Sequence, residues 1–298
     1  MKINYKYIIS ITIFSLVFCL FNRQKIDLYT MPKEYKEIRE VVDQLAVNNH
    51  LGERPITFQI TSGSYLNWMA ADINLCRVEN CRAFEDLDPF LEYKGEYSEY
   101  INQFLKSTYL YGGIVAWAYP YQIVSISRST IRLLESDRET LSFIMAHEIG
   151  HIIDQHAFKI SEEKSIKTKS IKAEIEAVNH EYIKARKEKE KEYIELAIDR
   201  KYEYIADKIA SILLTNSNFG DNAAIEALKT TSFITGDGEI TQKDSTHPSW
   251  KDRIESLKNT DNTIDNQYYI NQINPNKRNW KYSRKYNYLQ LNPKIKIN

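Results

Sequence analysis

Two histidines four residues apart, His147 and His151, bracket Glu148 in the run Ala146-His147-Glu148-Ile149-Gly150-His151. Leu141, Ile144, Met145 and Ile149 recur around them at helical spacing, behind a cap-like Ser136-Asp137-Arg138-Glu139. In a helix, residues i and i+4 stand one above the other, so both imidazoles project from one face toward a common point. No other feature constrains the fold as much. A helix must carry the pair into a shared space, and a second element must cross it with the groups that complete the site. An HExxH run at this spacing points to a metal held by two imidazoles, with Glu148 beside the first as a general base. The alternative is a pair of ordinary helix histidines.

A catalytic zinc takes three protein ligands and keeps one position open, so a third ligand is required. In one class of HExxH sites it is a histidine six residues after the second, but that position is Ala157, and His156 falls one residue early and on the wrong face. The other source is a carboxylate from a second helix, and Glu203-Tyr204-Ile205-Ala206-Asp207 supplies one. Glu203 and Asp207 are one turn apart on one face, so the first can ligate while the second accepts an N–H bond from a ligating imidazole. Small Ala206 lets two helices approach closely. Glu195, Asp199 and His180 compete for the third place without this arrangement.

Composition narrows the rest. With 9 Gly and 7 Pro in 298 residues, a turn-dense all-β chain loses to a helix-rich one, and 43% hydrophobic residues suffice for a core. Forty basic against forty acidic residues give a net charge of +0, which excludes binding to nucleic acid or anionic membrane through the overall field. Helical periodicity runs over 31–50, alternation predicts a strand at 56–60, and 109–126 reads as strand, turn, strand, broken by Gly112-Gly113 and Pro120. Residues 72–100 read as an irregular insertion. Residues 161–192 form a densely charged, solvated helical segment, followed by a core-facing helix over 193–214 and shorter helices at 223–229 and around Arg253 and Leu257. The fold class is α+β, mainly helical. Residues 266–298 carry seven Lys+Arg and no acid, and read as a tail draped over the surface.

At the amino terminus, Lys2 and Lys6 precede an apolar run from 7 to 21. As a helix it reaches only about 22 Å, short of the ~30 Å hydrocarbon core. Its length suits a secretory h-region, either cleaved or kept as a signal-anchor. Leu16-Val17-Phe18-Cys19 departs from a lipobox because Phe18 is not small. Cys76 and Cys81 are too few for a four-ligand zinc site; they either close a small disulfide loop, which suits an exported chain, or stay free thiols.

Together these residues resemble the HtpX-like and CaaX-prenyl-protease-like zinc metallopeptidases, which are gluzincins. The resemblance spans 110–257. It rests on His147 to His151, on Glu203-x-x-Ala206-Asp207, on Thr246-His247-Pro248 followed by Arg253-Ile254, and on Val115-Ala116-Trp117-Ala118-Tyr119-Pro120. Val115 stands where the family has Asn, and Tyr121-Gln122 replaces a Gly pair. The resemblance implies a zincin-like domain with a small β-sheet beside the HExxH helix. It also implies one zinc ion on His147, His151 and Glu203, with Glu148 as the base and Asp207 and Arg253 behind the ligands. His247 is either a donor to the developing oxyanion or a loop cap held by Arg253. Ala116, Trp117 and Ala118 are expected to bind substrate backbone. The domain reading is 1–25 signal or anchor, 26–260 peptidase domain and 261–298 tail. Because no later segment spans a bilayer, the expected activity is endopeptidase action on proteins or peptides in envelope quality control. The protein would then be exported, periplasmic or anchored through 7–21 facing outside the cytoplasm. Two rivals are an inactive protease fold used for binding or as a chaperone, and a zymogen-like enzyme whose cleft is covered by 161–192 or by the tail.

Overall fold

The computed structural model describes residues 27–236, 238, 240–259 and 279–292. The apolar run 7–21, and with it the question of a signal or anchor, lies outside the described residues. Among the described residues, no helix is long and apolar enough to cross a membrane.

The chain folds as α+β, mainly helical, around one mixed sheet. Helix α1 (Lys33–Leu45) puts Tyr35, Ile38, Val41, Val42 and Leu45 on one face, all buried, as the periodicity requires. Each such side chain contributes about 1.5–3 kcal/mol by leaving water. Strand β1 (Ile56–Thr61) alternates buried Ile56, Phe58 and Ile60 with half-buried Thr57 and Gln59. Strands β2 (Ala116–Tyr119) and β3 (Ile123–Ser127) form an antiparallel hairpin, and β3 lies parallel to β1 in the register Phe58 to Val124 and Ile60 to Ile126. A parallel pair needs a long crossover. Residues 62–122 provide it.

That crossover contains the segment 72–100, which is irregular as expected apart from one short 3-10 helix. Helix α2 (Ser64–Asp72), a 3-10 helix (Val78–Phe84) and helix α3 (Ser98–Ser107) enclose a small apolar cluster of Leu66, Ile101 and Leu105. Cys76 and Cys81 are disulfide-bonded. The insertion is tied to the end of β1, where the N–H groups of Ser62 and Gly63 each donate to a carbonyl, of Leu87 and Glu85, both at 3.0 Å. Gly63 has φ +73°, and a Cβ there would lie 2.7 Å from that of Ser127, so only glycine lets the two chains pass.

Helix α4 (Arg128–Leu133) leads into α5 (Arg138–Ile153), which carries the HExxH run. Asp137 caps it by accepting from the Thr140 N–H at 3.0 Å. Nearly every residue from Thr140 to Ile152 is buried, so α5 has no solvated face. It is enclosed by α1, by β2, by α8 (Glu181–Asn216) and by α9 (Ala223–Thr235). Between α5 and α8 come the short α6 (His156–Lys167) and α7 (Lys169–Ala177), and after α9 comes α10 (Trp250–Lys258). The 36 residues of α8 reach about 54 Å. Its charged first half is solvated as expected, whereas Ile198, Tyr202, Ala206, Ile209, Ala210, Leu213 and Leu214 are buried.

The carboxy-terminal segment does not simply drape over the surface. Strands β4 (Asn279–Ser283) and β5 (Tyr288–Asn292) form a hairpin whose β5 pairs antiparallel with β1, giving the order β2-β3-β1-β5-β4. Trp280, Tyr282, Leu289 and Leu291 alternate inward and are buried. The Trp280 indole donates to Asp43 at 3.0 Å, and Asn287 accepts from the Tyr35 hydroxyl at 2.8 Å while donating to the Ile60 carbonyl at 2.7 Å. The period-two pattern outweighs the polar composition because it gives the hairpin one apolar face to bury while the backbone of β5 pairs with the open edge of β1.

Candidate metal centre and its cleft

Helices α5 and α8 cross at two small residues. Gly150 faces Ala206 and Ile209, and a Cβ on it would lie 3.3 Å from Ile209 and 3.4 Å from the Ala206 carbonyl oxygen. This close approach brings Glu203, one turn before Ala206, against the two histidines. The His147 and His151 Nε2 atoms are 3.2 Å apart, and each lies 3.4 Å from one oxygen of Glu203. His180, Glu195 and Asp199 are not in this group. Asp199 instead pairs with Lys164 at 2.7 Å, and Glu195 faces Lys191 at 3.4 Å.

Each histidine is fixed from behind. His147 Nδ1 lies 2.9 Å from Oδ1 of Asp207, which also accepts from Arg253 through Nη2 at 2.5 Å and, at Oδ2, through Nε at 2.8 Å. Burial alone would push Asp207 up, but the Arg253 charge and its hydrogen bonds, with His147, hold the carboxyl below its ordinary value. Arg253 is buried and committed to Asp207, so it is not the holder of a His247 loop cap. His247 is exposed, takes a 2.8 Å contact from Thr246 Oγ1 to its Nδ1, and places Nε2 3.7 Å from Glu203.

Sequence reasoning placed His156 on the wrong face, and the structure brings it against His151, with Nδ1 atoms 2.9 Å apart. In a continuous helix the two residues would diverge, but Gln155 has φ +55° and breaks α5 from α6, swinging His156 back. A non-glycine residue in the left-handed region has no local sequence signature here. Burial, with the neighbouring charge of His151, keeps His156 below the ordinary imidazole value despite Asp154.

The donor set fits a metal. In the neutral ring, with Nδ1–H of His147 donated to Asp207, its Nε2 offers a lone pair, and Glu203 Oε2 is buried without a hydrogen-bond partner. The two Nε2 atoms, 3.2 Å apart, stand close to the edge of about 3.4 Å of a tetrahedral zinc with ligands about 2.0–2.1 Å away, and the Glu203 carboxylate faces both, Oε2 at 3.4 Å from His147 and Oε1 at 3.4 Å from His151. Burial pulls His147 down, yet Asp207 and Glu203 raise it to about 10. Burial pushes Glu203 up, but His147 and His151 hold it well below the usual carboxylate range. Both shifts express one demand, a positive charge between the rings and the carboxylate. Burial raises Glu148, against the pull of His147 and His151.

The centre opens into a cleft of about 930 Å³ bounded by Val115, Ala116, Trp117, Glu148, His247 and Trp250. A smaller lobe of about 230 Å³ continues along Ala118 and Tyr119. Strand β2, at the sheet edge, forms one wall. Among the described residues, none from 161–192 or 279–292 lines either lobe.

No curated protein and no solved structure gives a significant match to the chain. Residues 111–261 match the family model described as peptidase family M48. That stretch is just over half of the chain and carries the HExxH helix, the crossing α8 and the loop of His247. The chain belongs to peptidase family M48, a family of zinc metallopeptidases.

Proposed function

We propose that this chain is a zinc-dependent endopeptidase that cleaves proteins or peptides outside the cytoplasm, in envelope protein quality control. The observation that carries the proposal is the Glu203 carboxylate beside an edge strand, with its buried, unpartnered Oε2 3.4 Å from His147 and its Oε1 3.4 Å from His151. In this reading His147, His151 and Glu203 hold one zinc ion, and Asp207 with Arg253 keeps His147 in place. When bound, zinc supplies a Lewis acid and a water whose pKa is lowered to roughly 7. Ala116, Trp117 and Ala118 pair with the backbone of an extended substrate as an added strand, a mode that reads side chains little and gives broad specificity. Glu148 takes the proton of the attacking water and returns it to the leaving amine. His247 donates to the carbonyl oxygen as it gains negative charge.

The Cys76–Cys81 disulfide supports an oxidising compartment, and the apolar run at 7–21 supports export with membrane anchoring. Glu148→Gln is the direct test. It should keep zinc and lose casein hydrolysis by about 10²–10⁴-fold, whereas full activity in that variant would contradict the assignment. A zinc-loaded wild type that leaves casein intact would favour a binding or chaperone module instead.

A further inference from the structure

His151 is held by a chain of contacts that the proposed reaction does not use. Its Nδ1 meets Nδ1 of His156 at 2.9 Å, and Nε2 of His156 meets Oδ2 of Asp154 at 2.9 Å. The other oxygen of Asp154 accepts from Lys159 at 2.6 Å. His156 is wholly buried. Its ring stands edge-on to His151, with centroids 4.7 Å apart, and packs on Tyr202 at 5.0 Å. The left-handed Gln155 that breaks α5 from α6 brings all of this together.

The contacts leave one consistent set of protons for neutral rings, assigned from the hydrogen-bond network. A carboxylate only accepts, so Nε2 of His156 carries the hydrogen and donates to Asp154. Nδ1 of His156 is then an acceptor, and Nδ1 of His151 must donate to it. That leaves Nε2 of His151 as a bare lone pair, facing Glu203 at 3.4 Å and His147 at 3.2 Å. In the opposite arrangement, the acceptor nitrogen of His156 would meet the Asp154 carboxylate at 2.9 Å with no proton between them. Asp207 performs the same service for His147 in a single step. The two ligands therefore have unequal supports, one carboxylate directly and one carboxylate through a second imidazole.

We propose that His156, oriented by Asp154, is the positioning residue that fixes the tautomer and ring angle of His151 for metal binding. The inference rests on the reading of His147, His151 and Glu203 as the ligands. It is tested by measuring zinc affinity of the full chain by competition with a chromophoric chelator, with the cobalt(II) absorption spectrum as a second readout. His156→Phe keeps the ring and its edge contacts but removes both nitrogens, and should weaken zinc about 10–100-fold and alter the cobalt spectrum. His156→Asn sets a carbonyl oxygen near the lost Nδ1 and should recover affinity to within about threefold of wild type. Asp154→Ala should weaken zinc in the same direction as His156→Phe. Thermal unfolding of the metal-free forms should leave His156→Phe close to wild type. Affinity of His156→Phe equal to that of a tight wild type would overturn this inference alone, as would His156→Asn binding no better than His156→Phe. A wild type that takes up no zinc would overturn the metal reading and this inference with it.

Discussion

At the scale of single residues, the site is a meeting of acceptors. His147 turns Nδ1 toward Asp207 and Glu203 turns a bare oxygen inward, so without a metal the charge they call for is a proton. His147 is raised from 6.5 to about 10 in the folded chain, with burial opposing and Asp207 and Glu203 prevailing. A folded value above the unfolded one contributes stability that is complete below the unfolded pKa and is lost as pH climbs through the folded pKa. The metal-free protein should therefore lose stability steadily between pH 6.5 and about 10. Asp207 and Glu203 are shifted the other way, so their contribution is present above roughly pH 4 and fades on acidification. Urea unfolding at a series of pH values checks both limbs, and a metal-free chain that gains stability from pH 7 to 10 would contradict the account. His147, Glu148, His151, Glu203 and Asp207 were legible in the sequence because helical spacing decides which residues of each helix share a face, and the resemblance joined the two helices. His156 was not, because its position depends on the backbone sign of Gln155, which the residue type does not announce.

Elements set how closely those residues meet. The α5–α8 crossing depends on Gly150 against Ile209 and the Ala206 carbonyl, and the role of Ala206 was readable as a small residue between two motif helices. Gly150→Val would place its branched side chain where even a Cβ is at 3.3 Å from Ile209. The expected cost is about 1–3 kcal/mol from overpacking, together with weaker zinc binding as Glu203 moves off the histidines. Thermal melts and chelator competition read the two effects, and a variant that keeps both stability and affinity would show that the helices need no such contact. The β2–β3 turn departs from expectation in a different manner. Tyr121 and Gln122, which stand in place of a glycine pair, both hold φ +67°, so the hairpin keeps its left-handed turn without glycine. Sequence could show the substitution but not that the turn survives it.

Across the whole molecule, the sheet joins distant parts of the chain, and that is where composition misled. Lys, Arg, Asn and Tyr dominate the carboxy-terminal segment, yet Trp280, Tyr282, Leu289 and Leu291 alternate as a buried edge does. The strand that β5 joins, β1, lies more than 200 residues earlier, beyond the reach of any local pattern. Trp280→Ala should therefore destabilise the chain by about 3–5 kcal/mol while leaving its zinc content intact, as urea unfolding and metal analysis would show; a loss below about 0.5 kcal/mol, typical of surface changes, would mean that the hairpin is not part of the core. The irregular segment at 72–100 was visible as such, but not that Leu75, Phe84, Leu87 and Tyr93 pack it against a small cluster of Leu66, Ile101 and Leu105 on the flanking helices. All of these elements serve to hold α5 and α8 at one spacing, so the decisive measurement is metal content. Wild-type protein and Glu203→Ala, dialysed against the same buffered zinc, should differ sharply: one zinc per chain in the first, and affinity at least about 100-fold weaker in the second, which keeps only two of the three ligands a catalytic zinc requires. A Glu203→Ala variant that retains its full zinc, or a wild type that holds none, would contradict the account.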